Sequence, residues 1–433
     1  MPPKFVPAAG LPGARRRAKC QRVRLRATLR HNTHQVTTRR QSVQLRRAPA
    51  FGRRTLAKLA ASALGGAALS QLPGCGYYEA ETGSAFEPWR FPRISAPPER
   101  FAVHAALLAA SPHNTQPWAF SISPTCIDVR AVASRNLGSM DSLRREMHIG
   151  LGCAIENLVI AARSAGRSCE VALCPSPRDP SWVASIQLRP EPAGPDGLLD
   201  AIAMRRSNRG EYLPTPLPPS AAEELQLSAT QQGVQLRILT AADELTKFRA
   251  QTIAATRAIA EDSAMSEDGH RWYRHSHDAI EKHRDGVTLD CTGQGPVLRV
   301  LGKLLPRPDA KSAAKYWLDA TVERQTTGPA FGVLYASSAN TRSEQLQVGR
   351  AFQHMQLWAA TQGLAMQPLN QLVERQDREE TSGATAHFGP YLRELLGGPE
   401  WRAQMLFRIG RPKHAALRSP RRPLTWALSQ PLA

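Results

Sequence analysis

The sequence predicts an α+β protein built from two related halves, and three observations lead to this prediction. The chain has 433 residues, of which 42% are hydrophobic and 21% are charged, an ordinary composition for a globular protein with more than one domain. Two Ala-rich segments with helical periodicity resemble each other across a long stretch of chain. A short extended segment follows each of them, at residues 170–173 and 364–369, which favours helices packed beside strands.

The two similar segments span residues 152–166 and 349–363, and each has glycine at both ends. The final glycine suits the left-handed position that follows a helix C-terminus, and small residues allow two such helices to pack closely against each other. The second segment is preceded by a capping-box pattern, in which Thr341 is followed three residues later by Glu344. Coincidence between two Ala-rich helices is the alternative explanation. The aligned pairs are Ala154 with Ala351, Leu158 with Met355, Ile160 with Leu357, Ala162 with Ala359 and, upstream, Arg145 with Arg342.

The repeat predicts three parts of the chain. Residues 1–77 form a basic disordered extension with an export signal, and residues 78–195 form the first half. Residues 196–433 form the second half, which carries a helical insertion near residues 240–325. The connector at residues 189–197 is rich in Pro and Gly and is predicted to be a hinge between the halves.

The charge of the chain is concentrated at its N-terminus. The net charge is +20, but the 16 Lys and Arg residues before Glu79 meet no acidic residue, so the rest of the chain carries only +4. A basic arm for nucleic acid or anionic lipid is one interpretation of residues 1–50. An upstream extension with no folded role is favoured, because no aromatic interleaving or folded nucleic-acid motif accompanies the charge. The sequence therefore predicts no nucleic-acid partner.

A targeting signal follows the basic arm. Arg53 and Arg54 precede the uncharged stretch 60–72, which is shorter than the roughly 20 residues that span a bilayer. This pattern resembles a twin-arginine export signal. Residues 72–75 resemble a lipobox in which Pro73 is unusual, so Cys75 is either a lipid-anchored residue or a plain residue near a cleavage site. The predicted location is periplasmic or membrane-anchored, with the cytoplasm as the alternative.

Neither cysteines nor histidines predict a metal site. The seven cysteines lack zinc-ligand spacing, and Cys169 and Cys174 lie on opposite faces of a predicted strand, so no bridge between them is expected. Four histidines cluster in the insertion, but only His275 and His277 are close in sequence, and side chains two apart on a helix diverge. This stretch is predicted to be a polar helix, and one role for it is that of a lid over a binding site.

The first candidate site segment is the loop at residues 111–118, after an apolar helix that ends near Ala110. Its Asn and Gln amides both donate and accept hydrogen bonds, which suits the edge of a flat heterocycle with carbonyls and ring nitrogens. Trp118 is predicted to anchor the loop in the core.

The second candidate segment is the arginine-rich stretch at residues 204–212. Arg205, Arg206, Ser207 and Arg209 lie within five residues, and Arg forks match the three oxygens of a phosphate monoester. A solvated basic run is the alternative. The late segments 407–412 and 418–423 either bring further cations to the same phosphate or form a solvated tail.

Taken together, these motifs resemble the FMN-binding nitroreductase family. The resemblance rests on Asn-x-Gln-Pro-Trp at 114–118, Arg-Arg-Ser-x-Arg at 205–209, the Gly-ended helix at 152–166 and Ile-Gly-x-Pro at 409–412. In the ordinary family the arginine motif precedes the loop, and two subunits of a homodimer supply the two motifs to an interfacial FMN. Here the order is reversed, so the chain resembles the fused Acg-like branch, in which two repeats mimic the dimer.

The resemblance implies a monomeric pseudo-dimer with one FMN per chain, because the mirror site would lack the arginines. Asn370 stands where the family often has an acidic residue, which implies different tuning of the flavin potential. The phosphate and ribityl chain would be held by Arg205, Arg206, Ser207 and Arg209, with Arg421 or Arg422 completing the pocket. The flavin would contact Ser111, Pro112, His113, Asn114 and Gln116. A third segment would lie along the ring with its backbone N–H groups facing it, and it consists of Gln367, Pro368, Leu369, Asn370 and Gln371.

The implied activity is that of an FMN-dependent oxidoreductase, which passes hydride through flavin N5 to a nitroaromatic or quinone-like acceptor. No metal or protein nucleophile is required. His113 is a candidate proton donor, although a loop-shaping role is favoured for it. The electron donor is unknown, and would be NAD(P)H if the protein is cytoplasmic. The alternative function is a non-catalytic FMN-binding or storage protein with a lidded flavin site.

Overall fold

The computed structural model describes residues 79–91, 97–192, 194 and 197–429, all within one compact unit, Ser62–Ala433. The predicted extension and signal at residues 1–77, including the arginine pair and Cys75, lie outside the described residues. Among the described helices, none is both long enough and apolar enough to cross a bilayer.

Ten strands alternate with helices along the described part of the chain, so the predicted α+β class is confirmed. All the long strands pair antiparallel, and only one short pair within the insertion is parallel. The strands are β1 (Trp118–Ile122), β2 (Cys126–Ala131), β3 (Arg167–Leu173), β4 (Trp182–Pro190), β5 (Gln235–Leu239), β6 (Tyr273–Arg274), β7 (Val287–Thr288), β8 (Ala330–Ser337), β9 (Ala365–Pro368) and β10 (Trp401–Gly410).

Two four-stranded sheets form the frame, and each is made from one part of the chain. The first sheet has the order β1-β2-β4-β3, and the second has the order β5-β8-β10-β9. The predicted extended segments after the two similar helices are confirmed as β3 and β9. The inner strand β10 is buried along most of its length, as expected for a strand covered on both faces.

The helices of the described residues cover these sheets and supply the insertion. Five of them lie between β5 and β8, where the helical insertion is predicted. The helices are α1 (Pro98–Leu107), α2 (Arg145–Ser164), α3 (Leu199–Met204), α4 (Ala221–Thr230), α5 (Ala242–Glu261), α6 (Ser263–His270), α7 (His277–His283), α8 (Pro296–Leu304), α9 (Ala310–Ala320), α10 (Arg342–Thr361), α11 (Gln371–Ser382), α12 (Phe388–Leu396) and α13 (Leu424–Ala427).

The two similar segments are the central helices α2 and α10, each 20 residues long, and they pack against each other as predicted. They cross where Gly152 meets Gly349. A Cβ atom added to either glycine would come within 2.9 Å of the other glycine's Cα and would overlap a backbone carbonyl oxygen of the opposite helix. The glycines that follow the helices, Gly166 and Gly363, have φ of 77° and 65°, the left-handed conformation predicted for them.

The predicted capping box of α10 is confirmed. The Thr341 hydroxyl accepts a hydrogen bond from the Glu344 N–H at 3.2 Å, and the Glu344 carboxylate accepts one from the Thr341 N–H at 2.7 Å. The corresponding residue before α2, Arg144, makes no such cap. Asp141 replaces it, because its carboxylate accepts hydrogen bonds from the N–H groups of Glu146 and Met147 at 3.0 and 2.9 Å.

We expect Thr341→Ala to lower the free energy of unfolding by about 1 kcal/mol, because the first N–H groups of α10 lose an acceptor. Urea denaturation followed by circular dichroism measures this loss. The control is Thr361→Ala at the other end of α10, whose hydroxyl bonds the Trp358 carbonyl at the surface. An equal loss in the two variants would contradict the capping role.

Segments from one part of the chain reach the sheet of the other. Leu428 forms a parallel bridge with Phe120 of the first sheet, and the Ser429 N–H donates to the Phe120 carbonyl at 2.8 Å. In the opposite direction, Ser207 of the arginine-rich stretch pairs with Met366 of the second sheet. These exchanges bring residues that are distant in sequence to the same place beside the central helices.

The structure corrects two local predictions. The histidine-rich stretch is not one helix, since strand β6 separates α6 from α7; Arg274 of that strand is held by the Asp285 carboxylate at 2.6 Å. The Pro-rich connector begins later than predicted, because Arg189 and Pro190 are the last residues of β4 and pair with β3. Within the described residues, no cluster of His, Cys, Asp and Glu could hold a metal ion.

Candidate functional site

Four arginines line a small cavity beside the end of α1, which we call the arginine pocket. They are Arg205, Arg206 and Arg209 from the arginine-rich stretch and Arg421 from the C-terminal segment, and the cavity has a volume of about 40 Å³. None of the carboxylates among the described residues lines it. Its remaining lining residues are Trp89, Ala110, Ser111, Asn114, Ser207, Gly286, Val287, Cys291, Leu417 and Ser419.

Two of these arginines are almost completely buried, at 3% exposure for Arg205 and 2% for Arg421. Backbone carbonyls just after α1 hold them: Arg205 donates to the Leu108 carbonyl at 3.1 Å, and Arg421 donates to the Ala109 carbonyl at 3.2 Å. The free carbonyls at a helix C-terminus carry partial negative charge and attract cations. The Nε atoms of both arginines nevertheless have no hydrogen-bond partner.

The arginine pocket has an excess of positive charge. Burial, followed by the repulsion from Arg206 and Arg209, lowers the pKa of Arg205 to about 10. Burial lowers the pKa of Arg421 as well, and Arg205 adds to the effect. Because a pKa near 10 leaves the Arg205 guanidinium charged at pH 7, the pocket is a buried cationic site that an anion would stabilise.

Trp89 completes the arginine pocket and was not identified from the sequence. Its ring lies 4.6 Å from the Arg206 guanidinium and 4.9 Å from that of Arg421, and its Nε1 donates to the Ser419 carbonyl at 2.7 Å. Aromatic faces attract cations, so the ring orders both side chains. An isolated tryptophan in residues 79–91 carries no spacing signal that would point to arginines more than 100 residues away.

The loop at residues 111–118 has a strained backbone. His113, Asn114 and Gln116 all have positive φ, at 44°, 56° and 51°. Each such non-glycine residue costs about 1–3 kcal/mol unless its surroundings hold it in place. Trp118 is fully buried in the core, as predicted, and anchors the end of the loop.

The amide side chains of this loop bind other protein segments. Asn114 donates to the carbonyls of Gly286 and Pro420 at 3.1 and 2.8 Å and accepts from Arg421. Gln116 donates to the Arg284 carbonyl at 2.9 Å and accepts from the Arg422 N–H at 2.8 Å. The amides therefore join the loop to the insertion and to the C-terminal segment, which places Arg421 in the arginine pocket.

A second, larger cavity of about 350 Å³ adjoins the arginine pocket. The two cavities share five lining residues: Ala110, Ser111, Ser207, Arg209 and Val287. The insertion supplies much of the apolar wall of the large cavity, from α5, α6 and α9, with Ile259, Met265, Ala313, Ala314 and Trp317. The volume is within the range of small-molecule sites.

The structure brings most of the predicted site residues to these two cavities. Three of them lie elsewhere: Gln116 is fully buried away from both, Leu369 is in the core with its N–H donated to the Leu406 carbonyl at 2.7 Å, and Arg422 donates to the Trp426 carbonyl at 2.6 Å. The large cavity is lined by Ser111, Pro112, His113, Ser207, Arg209, Gln367, Pro368, Asn370 and Gln371, and the arginine pocket by Ser111, Asn114, Arg205, Arg206, Ser207, Arg209 and Arg421.

His113 is poorly suited to donate a proton. It lines the large cavity, where burial and the nearby Arg209 lower its pKa to about 4. Its imidazole is therefore neutral at pH 7, and the positive φ of His113 agrees with a loop-shaping role. Two carboxyl groups that sequence reasoning did not identify, Glu146 and Glu374, also line this cavity. They are 228 positions apart, and no motif connects them.

Comparison with known proteins gives partial matches. No protein-family model matches the chain. A Mycobacterium tuberculosis H37Rv protein, Rv3131, provisionally named an NAD(P)H nitroreductase, is 32% identical over 158 residues, which cover 36% of this chain and 45% of the relative. The protein acg of the same strain, with the same provisional name, is 32% identical over 148 residues, which cover 33% of this chain and 44% of the relative. The chain thus spans less than half the length of the curated relatives it matches.

Solved structures align at lower identity. The FMN- and NADPH-dependent nitroreductase NfnB from sphigopyxis sp. strain HMH is 16% identical, with a TM-score of 0.35 over 54% of this chain and 98% of its own. A nitroreductase with bound FMN from Desulfitobacterium hafniense DCB-2 is 13% identical, with a TM-score of 0.31 over 53% of this chain and 95% of its own. Alignments at this level carry no argument about function.

Proposed function

We propose that the chain is an FMN-dependent oxidoreductase of the nitroreductase family, which reduces a nitroaromatic or quinone-like acceptor. The observation that carries this proposal is the junction between the arginine pocket and the large cavity, where Ser207 and Arg209 line both. A ligand with an anionic end and a flat, largely apolar body matches this shape. FMN has a phosphate monoester at one end and an isoalloxazine ring at the other.

The arginine pocket fits the phosphate. Its four guanidinium groups face no carboxylate in the pocket, and the Nε atoms of Arg205 and Arg421 are buried donors without acceptors. A buried unpaired donor costs about 1–3 kcal/mol, more when charged, so phosphate oxygens would remove a cost that the protein otherwise bears. Arg forks bind phosphate in bidentate fashion, and Ser111 and Ser207 add hydroxyl groups.

The large cavity fits the ring and an acceptor beside it. Gln367 and Gln371 line this cavity, and the Oε1 atom of each is buried without a hydrogen-bond partner among the described residues. They would accept hydrogen bonds from the N–H of a flavin ring. FMN, when bound, supplies two-electron redox chemistry. The apolar wall from the insertion would exclude water and orient an aromatic acceptor, while Arg209 would keep positive charge near the ring.

We infer that the two parts of the chain are fused repeats that act as a pseudo-dimer, with one FMN per chain. The crossing of α2 and α10 at Gly152 and Gly349 supports this inference, because equivalent residues meet at the crossing. The arginine-rich stretch occurs once, so the equivalent position on the other side lacks its phosphate ligands.

The electron donor we propose is NAD(P)H, the donor in the names of the matching relatives. The leader at residues 1–77 supports a second proposal, that the protein is exported after folding. Export would separate it from cytoplasmic NAD(P)H and would require another donor. Cell fractionation tests the export proposal, since recovery of the chain only in the cytoplasm would contradict it.

The absorption spectrum of the purified full chain tests the proposed function. We expect a yellow protein with one FMN per chain, which NADPH bleaches anaerobically and which a quinone or a nitroaromatic restores. The storage function would be favoured instead if dithionite reduces the flavin, NADPH does not reduce it, and no acceptor reoxidises it. A colourless chain that does not take up added FMN would overturn both.

A further inference from the structure

Glu146 and Glu374 meet at the wall of the large cavity, although they come from different halves of the chain. Glu146 lies in the first turn of α2, and Glu374 lies in the first turn of α11. Both are about 5% exposed, and their carboxyl groups lie within hydrogen-bonding reach of each other. Glu146 Oε1 and Glu374 Oε2 have no hydrogen-bond donor. Two buried carboxylates so close cannot both be ionised without a large cost, whereas one shared proton joins them.

The surrounding charges satisfy the neighbouring acids but not this pair. Asp377 accepts from Arg145 at 2.8 Å and from Arg402 at 2.7 Å, and Asp141 accepts the two N–H groups at the start of α2. Arg145 reaches Glu146 only at 3.5 Å. Burial, together with the nearby Asp141 and Asp377, outweighs Arg145 and raises the pKa of Glu146 to about 7. Burial and Glu146 also raise the pKa of Glu374.

Other polar groups that line the same cavity also lack partners. Gln367 and Gln371 line the same cavity as the pair, and the Oε1 atom of each is buried without a donor among the described residues. These unpartnered atoms are independent signs that a ligand with polar hydrogens belongs at this end of the cavity. Besides the pair, the titratable side chains of the described residues that line the cavity are His113, Cys153, Arg209, His270, Tyr273, Tyr316 and Arg324.

We propose that Glu146 and Glu374 hold one proton between them and deliver it to the acceptor in the large cavity. This inference rests on the proposed function, which supplies the reductant. FMN, when bound, would supply the hydride, which is one proton with two electrons, to a carbonyl carbon or ring position of a quinone-like acceptor. The oxyanion that results takes the shared proton, so that a carboxyl O–H bond breaks and an acceptor O–H bond forms. The carboxylate pair then regains a proton from water.

The pair is better suited to this step than His113. Burial raises the pKa of both Glu146 and Glu374, so the pair keeps a proton at pH 7, whereas His113, with a pKa lowered to about 4, is neutral there.

Infrared difference spectroscopy of the full chain tests the shared proton directly, with or without bound FMN. We expect the carbonyl band of a protonated carboxyl group to persist near pH 7 and to disappear at higher pH. The intensity of the band should fall in Glu146→Gln/Glu374→Gln; a remainder would belong to Asp141, whose pKa burial also raises. The matched control is Glu156→Gln on the same helix, since Glu156 is buried but its pairing with Arg350 and His354 lowers its pKa. This control should keep the band.

Stability against pH gives a second readout. Because burial raises the folded-state pKa of Glu146 from 4.5 to about 7, its cost to folding is absent below pH 4.5, grows between pH 4.5 and 7, and is constant above that. The raised pKa of Glu374 adds a cost that likewise begins above pH 4.5. The double variant should therefore gain roughly tenfold or more in its folding equilibrium constant, relative to the unchanged protein, at pH 8 but little at pH 5.

The rate of acceptor reduction decides the role of the pair. We expect the double variant to bind FMN normally and to reduce a quinone about a hundredfold more slowly at pH 6, with the solvent deuterium isotope effect changed. A band of unchanged intensity in the double variant, or an unchanged rate and isotope effect with FMN bound, would overturn this inference and leave the proposed function standing. A chain that binds no FMN would overturn both.

Discussion

Replacing both Arg205 and Arg421 with glutamine is expected to weaken FMN binding about a thousandfold. Each guanidinium is buried, faces the arginine pocket and has an Nε without a partner, so each is free to donate a charge-assisted hydrogen bond to phosphate. Such bonds contribute about 1.5–3 kcal/mol each, and 1.4 kcal/mol is a factor of ten in affinity. Quenching of flavin fluorescence during titration of the purified chain measures the dissociation constant.

The chain offers a closely matched control for this prediction. Arg422→Gln changes the neighbouring residue, whose side chain donates to the Trp426 carbonyl and lies outside both cavities. We expect its FMN affinity to stay within about threefold of the original. Circular dichroism establishes that the double variant is folded, and the single Arg421→Gln variant serves if it is not. Equal FMN affinities for Arg421→Gln and Arg422→Gln would contradict the assignment of the phosphate to the arginine pocket.

Gly152→Val is expected to lower the free energy of unfolding by at least about 3 kcal/mol. Glycine in a helix interior is normally a weakness, since Ala there is about 1 kcal/mol better, so an exposed site would gain from the change. Here a Cβ would overlap the Leu346 carbonyl oxygen and lie 2.9 Å from the Gly349 Cα. The obstacle is backbone, which cannot rotate away as a side chain can, so α2 and α10 would have to separate.

Urea denaturation measures this loss, and a glycine with open space provides the control. Gly295 has a φ of −65°, and a Cβ there would meet no atom within 4 Å. Gly295→Ala should change the free energy of unfolding by less than about 0.5 kcal/mol. A Gly152→Val protein as stable as the Gly295→Ala protein would mean that the helix crossing tolerates separation.

Features carried by nearby residues were predictable from the sequence. The central helices, their terminal glycines and the capping box at Thr341 all depend on spacing within a few residues, and the structure has each of them. The arginine-rich stretch was identified in the same way, because three guanidinium groups and a serine within five residues match the oxygens of a phosphate. The α+β class followed from helical periodicity beside short extended segments.

The composition of the site depended on contacts between distant residues. From the sequence, Arg421 and Arg422 were equivalent; in the structure Asn114 binds the first, while the main chain of the second bonds to Gln116. The Gln116 amide was expected at a ligand and instead joins two protein segments. Neither Trp89 nor the Glu146–Glu374 pair had a local signal.

The sequence by itself thus determined the two central helices, the strands that follow them and the cationic chemistry available to a ligand. The tertiary structure alone decided which cation enters the arginine pocket and which carboxyl groups meet at the large cavity. The physical reason is that periodicity and capping depend on neighbours along the chain. Burial, and with it the pKa of Glu146 and the unpaired donors of Arg205 and Arg421, depends on which remote segments exclude water.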